Sequence, residues 1–468
     1  MLLTPKDKYA IITKVKVSPK NERTLLFMDK KTKSPYGFSM PILLLFGLVG
    51  QLAWSLENMY FNLFVFEEIA PNLDVVTLMV QLSGITATVI TLIAGTLSDK
   101  LGNRRSFISW GYAIWGVTVA VFGCLSTDTV ASVLGVPTLE AISIALTLAV
   151  VFDCVMTLFG STANDAAFNA WVTDNTTPSI RGRVEGILAI LPLIAMLVVA
   201  GGFGIIKSII GYQALFVALG AVISALGIFG IFKIKDAPTL ERSGGFSDIF
   251  YGFRPSVIKE NSKLYITLLV VVIYGIACQV FMPYIIIFMT TYLHFDVIEY
   301  SIVFGFAIIL GAAVNLYLTR MSDKKDKVRL MYVAAGIFTG GLLIMYLTSM
   351  ITEKIALLVL FGIGGFVMIT GNIFISALSG SLVRDYTPKG AVGKLQGVRM
   401  VFSVLIPMIV GPAVGNAVNK IRNVKLPDMN SADAMTTEYI PAPEIFLVGA
   451  AISLLLFAII PVLSKKKK

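Results

Sequence analysis

Apolar residues run in long blocks along this chain, and polar residues are confined to the short stretches between them. A helix needs about 20 apolar residues to cross a bilayer. Runs of that length occur at roughly 41–66, 75–98, 105–126, 139–163, 185–207 and 213–233, then at 264–292, 298–319, 329–350, 355–383, 397–419 and 444–463. The pattern predicts an all-α integral membrane protein of twelve transmembrane helices. The expected organisation is a tail over 1–40, a six-helix bundle over 41–233, a linker over 234–263, a second six-helix bundle over 264–463 and a basic tail over 464–468. In the linker, Phe246, Ile249, Phe250 and Phe253 stand among polar residues. That spacing fits a short helix lying on the membrane surface, and equally a solvated connection with apolar anchors.

The two halves repeat. Gly160, Ser161, Asp174, Thr176 and the Gly182–Gly186 stretch correspond, 211 residues on, to Gly371, Asn372, Asp385, Thr387 and Gly393–Gly397, with Pro388 displaced by one. Paired six-helix repeats enclosing a central path are a hallmark of secondary transporters.

Composition supports the membrane reading. The 468 residues are 56% hydrophobic and 14% charged, with mean hydropathy +0.83, against about 25% charged in soluble chains. The net charge of +10 reads as topology, not as nucleic-acid binding: with both termini cytoplasmic, inside segments hold 32 lysines and arginines and outside loops hold 5, as the positive-inside rule demands. Three cysteines inside apolar runs and one histidine, His294, offer no metal, haem or hydrolase chemistry. No nucleotide-binding glycine pattern is present, so no cofactor and no enzymatic activity are expected. The first run is too long for a signal-peptide core.

An ionisable group at the bilayer centre costs about 2.5–3.5 kcal/mol and marks function by default. In the fourth run Asp153 shares a helical face with Thr157, Gly160 and Asn164, flanked by Ser161 and Phe168, and Asp165 lies nearer the cytoplasmic end. In the first run Gln51, Trp54, Asn58 and Phe61 share a face, with Glu57 at its edge toward the outer half. A ring between amide and carboxylate suits a sugar, whose apolar face packs on the ring while its hydroxyls bond the polar groups; Trp54 alone reads equally as packing. In the seventh run Gln279, Pro283 and Tyr284 mark a kink that frees backbone groups. In the tenth, Asn372, Ser376 and Ser379 share a face that either lines a cavity or packs helices. The candidate substrate-binding set is therefore Gln51, Trp54, Asn58, Thr157, Asn164, Gln279, Tyr284, Asn372 and Ser376, and the candidate ion-coupling carboxyls are Asp153, Glu57 and Asp165.

Charged turns make up a candidate cytoplasmic gate. Between the second and third runs stand Gly95, Asp99, Lys100, Gly102, Arg104 and Arg105, with Gly95 read as permitting close helix approach and Asp99 as a cap or ion-pair partner. A degraded copy, Asp323 to Lys327 with Arg329, lacks the glycines. Asp174, Arg183 and Asp385 lie in the matched loops, and Arg399 sits a few residues into the eleventh run. These charges fit contacts made in one conformation only, or plain cap-and-turn roles. Asp165 and Arg399 also sit where snorkelling to the inner surface would serve them.

The turn from Gly95 to Arg105 resembles the major facilitator signature for this loop: a glycine, then Asp-basic-x-Gly-x-basic. With the repeat, the chain resembles that superfamily along its whole length. Asn164 with Asp174, the arginines that follow, and Phe281-Met282-Pro283-Tyr284 are similar to the glycoside–cation symporters related to melibiose permease and the sucrose–proton cotransporters. The resemblance implies helices 1, 4, 7 and 10 lining a central cavity, alternating access, and cation-coupled uptake of a sugar or glycoside across the plasma membrane. Its implied partners are the solute, a coupling proton or other cation, and the lipid bilayer, with a monomeric protein. The melibiose type carries two helix-2 aspartates where this chain has Ala87 and Thr91. Its sodium site is thus not reproduced, and a proton on Asp153, Asp165 or Glu57 is favoured, because a carboxyl withdrawn from water holds its proton more readily. The alternative is a proton-coupled exporter of drugs or amphiphilic solutes, whose cavities are greasier. Residues 1–27 form a basic segment with no capping signal, expected to be loosely placed, and Met28 offers a second start.

Overall fold

Each apolar run becomes helix because a backbone in lipid must satisfy its own hydrogen bonds. The computed structural model describes residues 39–176, 184, 187–237, 246–322, 326–388, 395–425 and 439–464. The 1–38 segment, Arg183, Asp323, Lys324, Lys325, Gly393, Lys394 and Lys465–Lys468 lie outside the described residues. We label the helices α1 Met40–Ile69, α2 Leu73–Leu101, α3 Arg104–Phe122, α4 Thr138–Asn175, α7 Ser262–Tyr292, α8 Val297–Ser322, α9 Lys327–Thr348, α10 Lys354–Tyr386, α11 Gln396–Arg422 and α12 Glu444–Ser464. α5 and α6 share the element Leu191–Lys233.

The runs expected at 185–207 and 213–233 adjoin in that element. Ten described helices are long and apolar enough to cross a membrane, or eleven if α3 and the short helix Thr127–Leu134, bent from it by 89°, count as one. Leu191–Lys233 has 43 residues, and at about 1.5 Å per residue a straight helix of that length would be roughly twice the ~30 Å hydrocarbon core. It is broken at Gly211, where φ 80° and ψ 168° are open to glycine. The segments 191–210 and 212–233 are α5 and α6.

Short polar residues set the helix ends. Asn72 caps α2 by accepting from the Val75 N–H at 3.0 Å, Asn103 caps α3 through Ser106 at 2.9 Å, and Asp326 caps α9 through Val328 at 2.9 Å. Gly102, at φ 62°, ends α2 in the left-handed region. The linker forms a tight helical turn over Phe246–Phe253 and a helix over Pro255–Glu260, with Phe250 and Phe253 exposed.

Helices of the first half close on glycine. A Cβ on Gly116 would strike the carbonyl of Gly220, and one on Gly227 would strike the backbone of Ala113, so α3 and α6 touch main chain to main chain. In the second half Gly341 of α9 meets the backbone of Met368 of α10, and Gly371 of α10 meets that of Phe338 of α9, in the same way. Between halves, Gly84 of α2 faces Met408 of α11, and Gly204 of α5 faces the Tyr300 hydroxyl of α8. Gly95 is different: a Cβ there meets only the Ala166 methyl at 4.0 Å, so the close approach expected of it is absent.

Gly220→Val should therefore lower the unfolding temperature of the purified protein, with overpacking costing about 1–3 kcal/mol. Gly340→Ala, which meets nothing within 4 Å, should leave it unchanged. Scanning fluorimetry in detergent checks the pair, and equal melting of both variants would refute the packing account.

Candidate functional site

A cavity of about 370 Å³ lies between the two halves, within the range of small-molecule sites. From the first half α1 contributes Gln51, Trp54, Ser55, Asn58 and Met59, joined by Val80 of α2 and by Pro192 and Met196 of α5. From the second, α7 contributes Tyr274, Gly275, Cys278, Gln279, Met282 and Pro283, α10 gives Asn372, and α11 gives Ser403 and Pro407. Among the described residues no charged side chain lines it.

Breaks in helical regularity build this wall. α1 widens to a π-turn over Glu57–Phe61, and α11 does so over Val401–Leu405; such turns re-aim the side chains around them. In α7, Pro283 forces a tight turn over Met282–Tyr284, three residues after Gln279, where the kink was expected. The polar wall is partly pre-bonded. The Tyr274 hydroxyl donates to Asn372 Oδ1, and Asn372 Nδ2 donates to Cys278 Sγ at 3.5 Å. Trp54 stands half-buried with its ring centre 5.1 Å from that of Trp115.

Of the nine candidate substrate residues, Gln51, Trp54, Asn58, Gln279 and Asn372 line the cavity and four do not. Thr157 is fully buried and donates to Glu57. Asn164 accepts from the Tyr112 hydroxyl at 3.0 Å. Tyr284 donates to the Pro412 carbonyl at 2.9 Å and lies 2.7 Å from Thr77 Oγ1. Ser376 stands beside Tyr274 behind the wall. Phe61, on the same α1 face as Trp54, stacks on Phe122 at 3.7 Å instead. Sequence reasoning missed Tyr274, Met59, Met196, Met282 and Ser403; their apolar runs carry no mark of which face turns inward.

The carboxyls lie deeper. Glu57, read as peripheral, is buried, and its Oε1 lies 2.7 Å from Ser83 Oγ and 2.9 Å from Thr157 Oγ1. Asp153 is buried one turn before Thr157. Asp165 accepts from Ser161 at 3.2 Å and Asn164 at 3.4 Å, with Trp54 nearby. Ser83 carried no signal, since a serine in an apolar run is ordinary helix glue.

At the end bearing the 99–104 turn, Arg104 is buried and pairs with Asp99, with Asp174 at 3.1 Å and with Ser98 Oγ at 2.5 Å. Asp236 caps α3 by accepting from the Arg104 and Arg105 N–H groups at 3.0 and 2.9 Å. Arg105 reaches the Ile231 carbonyl, and Lys100 is exposed. The second half repeats the device: Lys327, opening α9, pairs with Asp385 at 2.6 Å. Both pairs close within one half, so in this conformation they brace each bundle and do not bridge the two. Arg399 sits one turn before the cavity residue Ser403, which donates to its carbonyl at 2.6 Å.

At the opposite end bonds do cross between halves. Asp74 of α2 accepts from Asn416 at 2.6 Å and from Tyr439 at 3.1 Å, Gln81 donates to the Ile409 carbonyl at 2.8 Å, and Asn62 donates to that of Pro283 at 3.4 Å. Burial, then the Asp74 carboxylate, push the Tyr439 hydroxyl above its ordinary value, which keeps it a donor.

The family model of the Major Facilitator Superfamily matches residues 43–412. Among solved structures the chain is similar to the nucleoside transporter NupG, at 13% identity over 91% of this chain and 99% of that one, with a TM-score of 0.64. It is similar to a bacterial homolog of the human lysosomal transporter Spinster, inward-facing and unoccupied, at 14% identity over 91% and 98% with a TM-score of 0.60. An auto-inhibited POT-family peptide transporter matches at 12% identity over 92% and 97% with a TM-score of 0.62. Likeness at these identities establishes the fold alone. Among curated protein sequences none matches.

The crossing bonds at Asp74 should hold that end shut. In a Cys124→Ser, Cys154→Ser background, a membrane-impermeant thiol reagent added on that side should label Cys278 poorly. Asp74→Ala should raise the labelling about tenfold, as loss of roughly 1.4 kcal/mol of hydrogen bonding would. Unchanged labelling would show that the latch does not control access.

Proposed function

The chain belongs to the Major Facilitator Superfamily, a transporter and not an enzyme, and from that premise we propose that it carries a small, uncharged, polar solute, a sugar or glycoside, by alternating access with a coupled proton. The observation that carries this reading is the cavity wall. Four carboxamides (Gln51, Asn58, Gln279, Asn372) offer both donors and acceptors beside the Trp54 ring, with no charged side chain among them. Such a wall complements hydroxyls on a neutral ring and would leave an ionic solute without a counter-charge.

Coupling is supported by the carboxyls of Glu57, buried and adjoining Asn58 of this wall, of Asp165, beside Trp54, and of Asp153, buried beside Glu57, with no basic side chain among the described residues acting on them. A proton is the cheapest way to neutralise such a group. The lysine and arginine distribution supports cytoplasmic termini in the plasma membrane, so the end shut by Asp74 would face outward and the cavity would open inward. The braces at Asp99–Arg104–Asp174 and Lys327–Asp385 would then keep each half rigid while the halves rock.

Met59, Met196 and Met282 on the same wall favour a second reading, export of amphiphilic solutes, because methionine adapts to varied apolar shapes. Uptake of radiolabelled mono- and disaccharides into proteoliposomes separates the two, with a hydrophobic cationic dye as competitor. Under the first reading Trp54→Ala should lower uptake at least about tenfold, consistent with loss of a ring contact worth roughly 1.4 kcal/mol or more, while Trp54→Phe keeps part of it. Equal uptake by all three forms would reduce Trp54 to packing, and transport of the dye alone would establish the second reading.

A further inference from the structure

The Glu57 environment holds one more hydrogen-bonding contact than its neighbours can fill. Glu57 Oε1, Ser83 Oγ and Thr157 Oγ1 form a closed triangle with edges of 2.7, 2.8 and 2.9 Å. Each edge at such a distance needs one hydrogen, and each hydroxyl supplies one. Two hydroxyls fill two edges. The other oxygen, Glu57 Oε2, is buried with no hydrogen-bond partner, in a residue 6% exposed.

We infer that Glu57 is held as the neutral acid, its proton running from Oε1 to Ser83 Oγ while Ser83 donates to Thr157 and Thr157 back to Oε1, and that this is the site where the coupling proton is bound and released. Oε2 is then the carbonyl oxygen of an acid, which is far cheaper to bury unpaired than a carboxylate oxygen. Ser83 and Thr157 act as positioning residues. Facing Glu57 from α4 are the Asp153 and Asp165 carboxyls and the Cys154 thiol. From α2 the hydroxyl of Ser83 meets it, and no basic side chain is among the groups acting on it. Release of the proton to water leaves a carboxylate and two hydrogens for three edges, so the triangle tying α1, α2 and α4 together must open. Glu57 begins the π-turn that carries Asn58 and Met59 into the cavity wall, which links the proton to the solute. The role in coupling rests on the proposed transport function; the protonated triangle does not.

Infrared difference spectroscopy of the purified protein in lipid at neutral pH reads the acid directly and needs no substrate. A component of the carboxylic-acid C=O band should be lost in Glu57→Gln, persist in Asp153→Asn and Asp165→Asn, and change frequency in Ser83→Ala and Thr157→Val. Absence of any such band, or a band left unchanged by Glu57→Gln, overturns the inference, and so does loss of the Glu57 component when sodium replaces choline, which would make the triangle a sodium site. Should Glu57→Gln fail to fold, the frequency change in Ser83→Ala decides: a shift supports the acid in the triangle and an unmoved band refutes it. A band that behaves as expected in a protein that takes up no saccharide would leave the triangle standing and the proposed function refuted.

Discussion

A polar group inside a bilayer has no water to fall back on, so each must find its partner within the protein. The architecture follows from that constraint at every scale. Backbone groups are satisfied by long helices, and most threonines and serines in the spans return their hydroxyl to a carbonyl three or four residues back, as Thr88, Thr339 and Ser379 do. The carboxyls have no such local outlet. Glu57 is reached by hydroxyls from two other helices, and that convergence fixes α1, α2 and α4 against one another more specifically than apolar contact can.

The same constraint explains why regularity fails where it does. A π-turn or a proline break frees backbone groups, which is tolerable only where they face protein or a water-filled cavity. The irregular turns of α1, α7 and α11 fall beside the cavity, with further π-turns in α4 and α5, whereas α3 and α6, and α9 and α10, pack through glycine.

Charge is handled differently at the two ends. Where the turn from α2 to α3 lies, ion pairs join the third and fourth helices of each half, Arg104 with Asp174 and Lys327 with Asp385. At the other end Asp74 takes amide and phenol donors from the opposite half. Neutral donors to a single carboxylate are weaker than a buried salt bridge would be, and so suit contacts that must part when the halves separate.

The sequence by itself determined the membrane, the helices, the two-fold repeat and the chemistry of the turn around Asp99 and Arg104, because these rest on composition and on contacts close along the chain. It also marked Gln51, Trp54, Asn58, Gln279 and Asn372, polar residues whose position in an apolar run is itself the signal. Only the tertiary structure decided that Thr157 and Asn164 bond other side chains and not the cavity, that Glu57 is central, and that Ser83 is its partner across 26 positions. A helical wheel gives the face a residue occupies, but π-turns and kinks rotate that face, and which neighbour it meets depends on how separate helices pack. The break at Gly211 falls in the gap expected between the runs 185–207 and 213–233; the structure added that the turn rests on a single glycine.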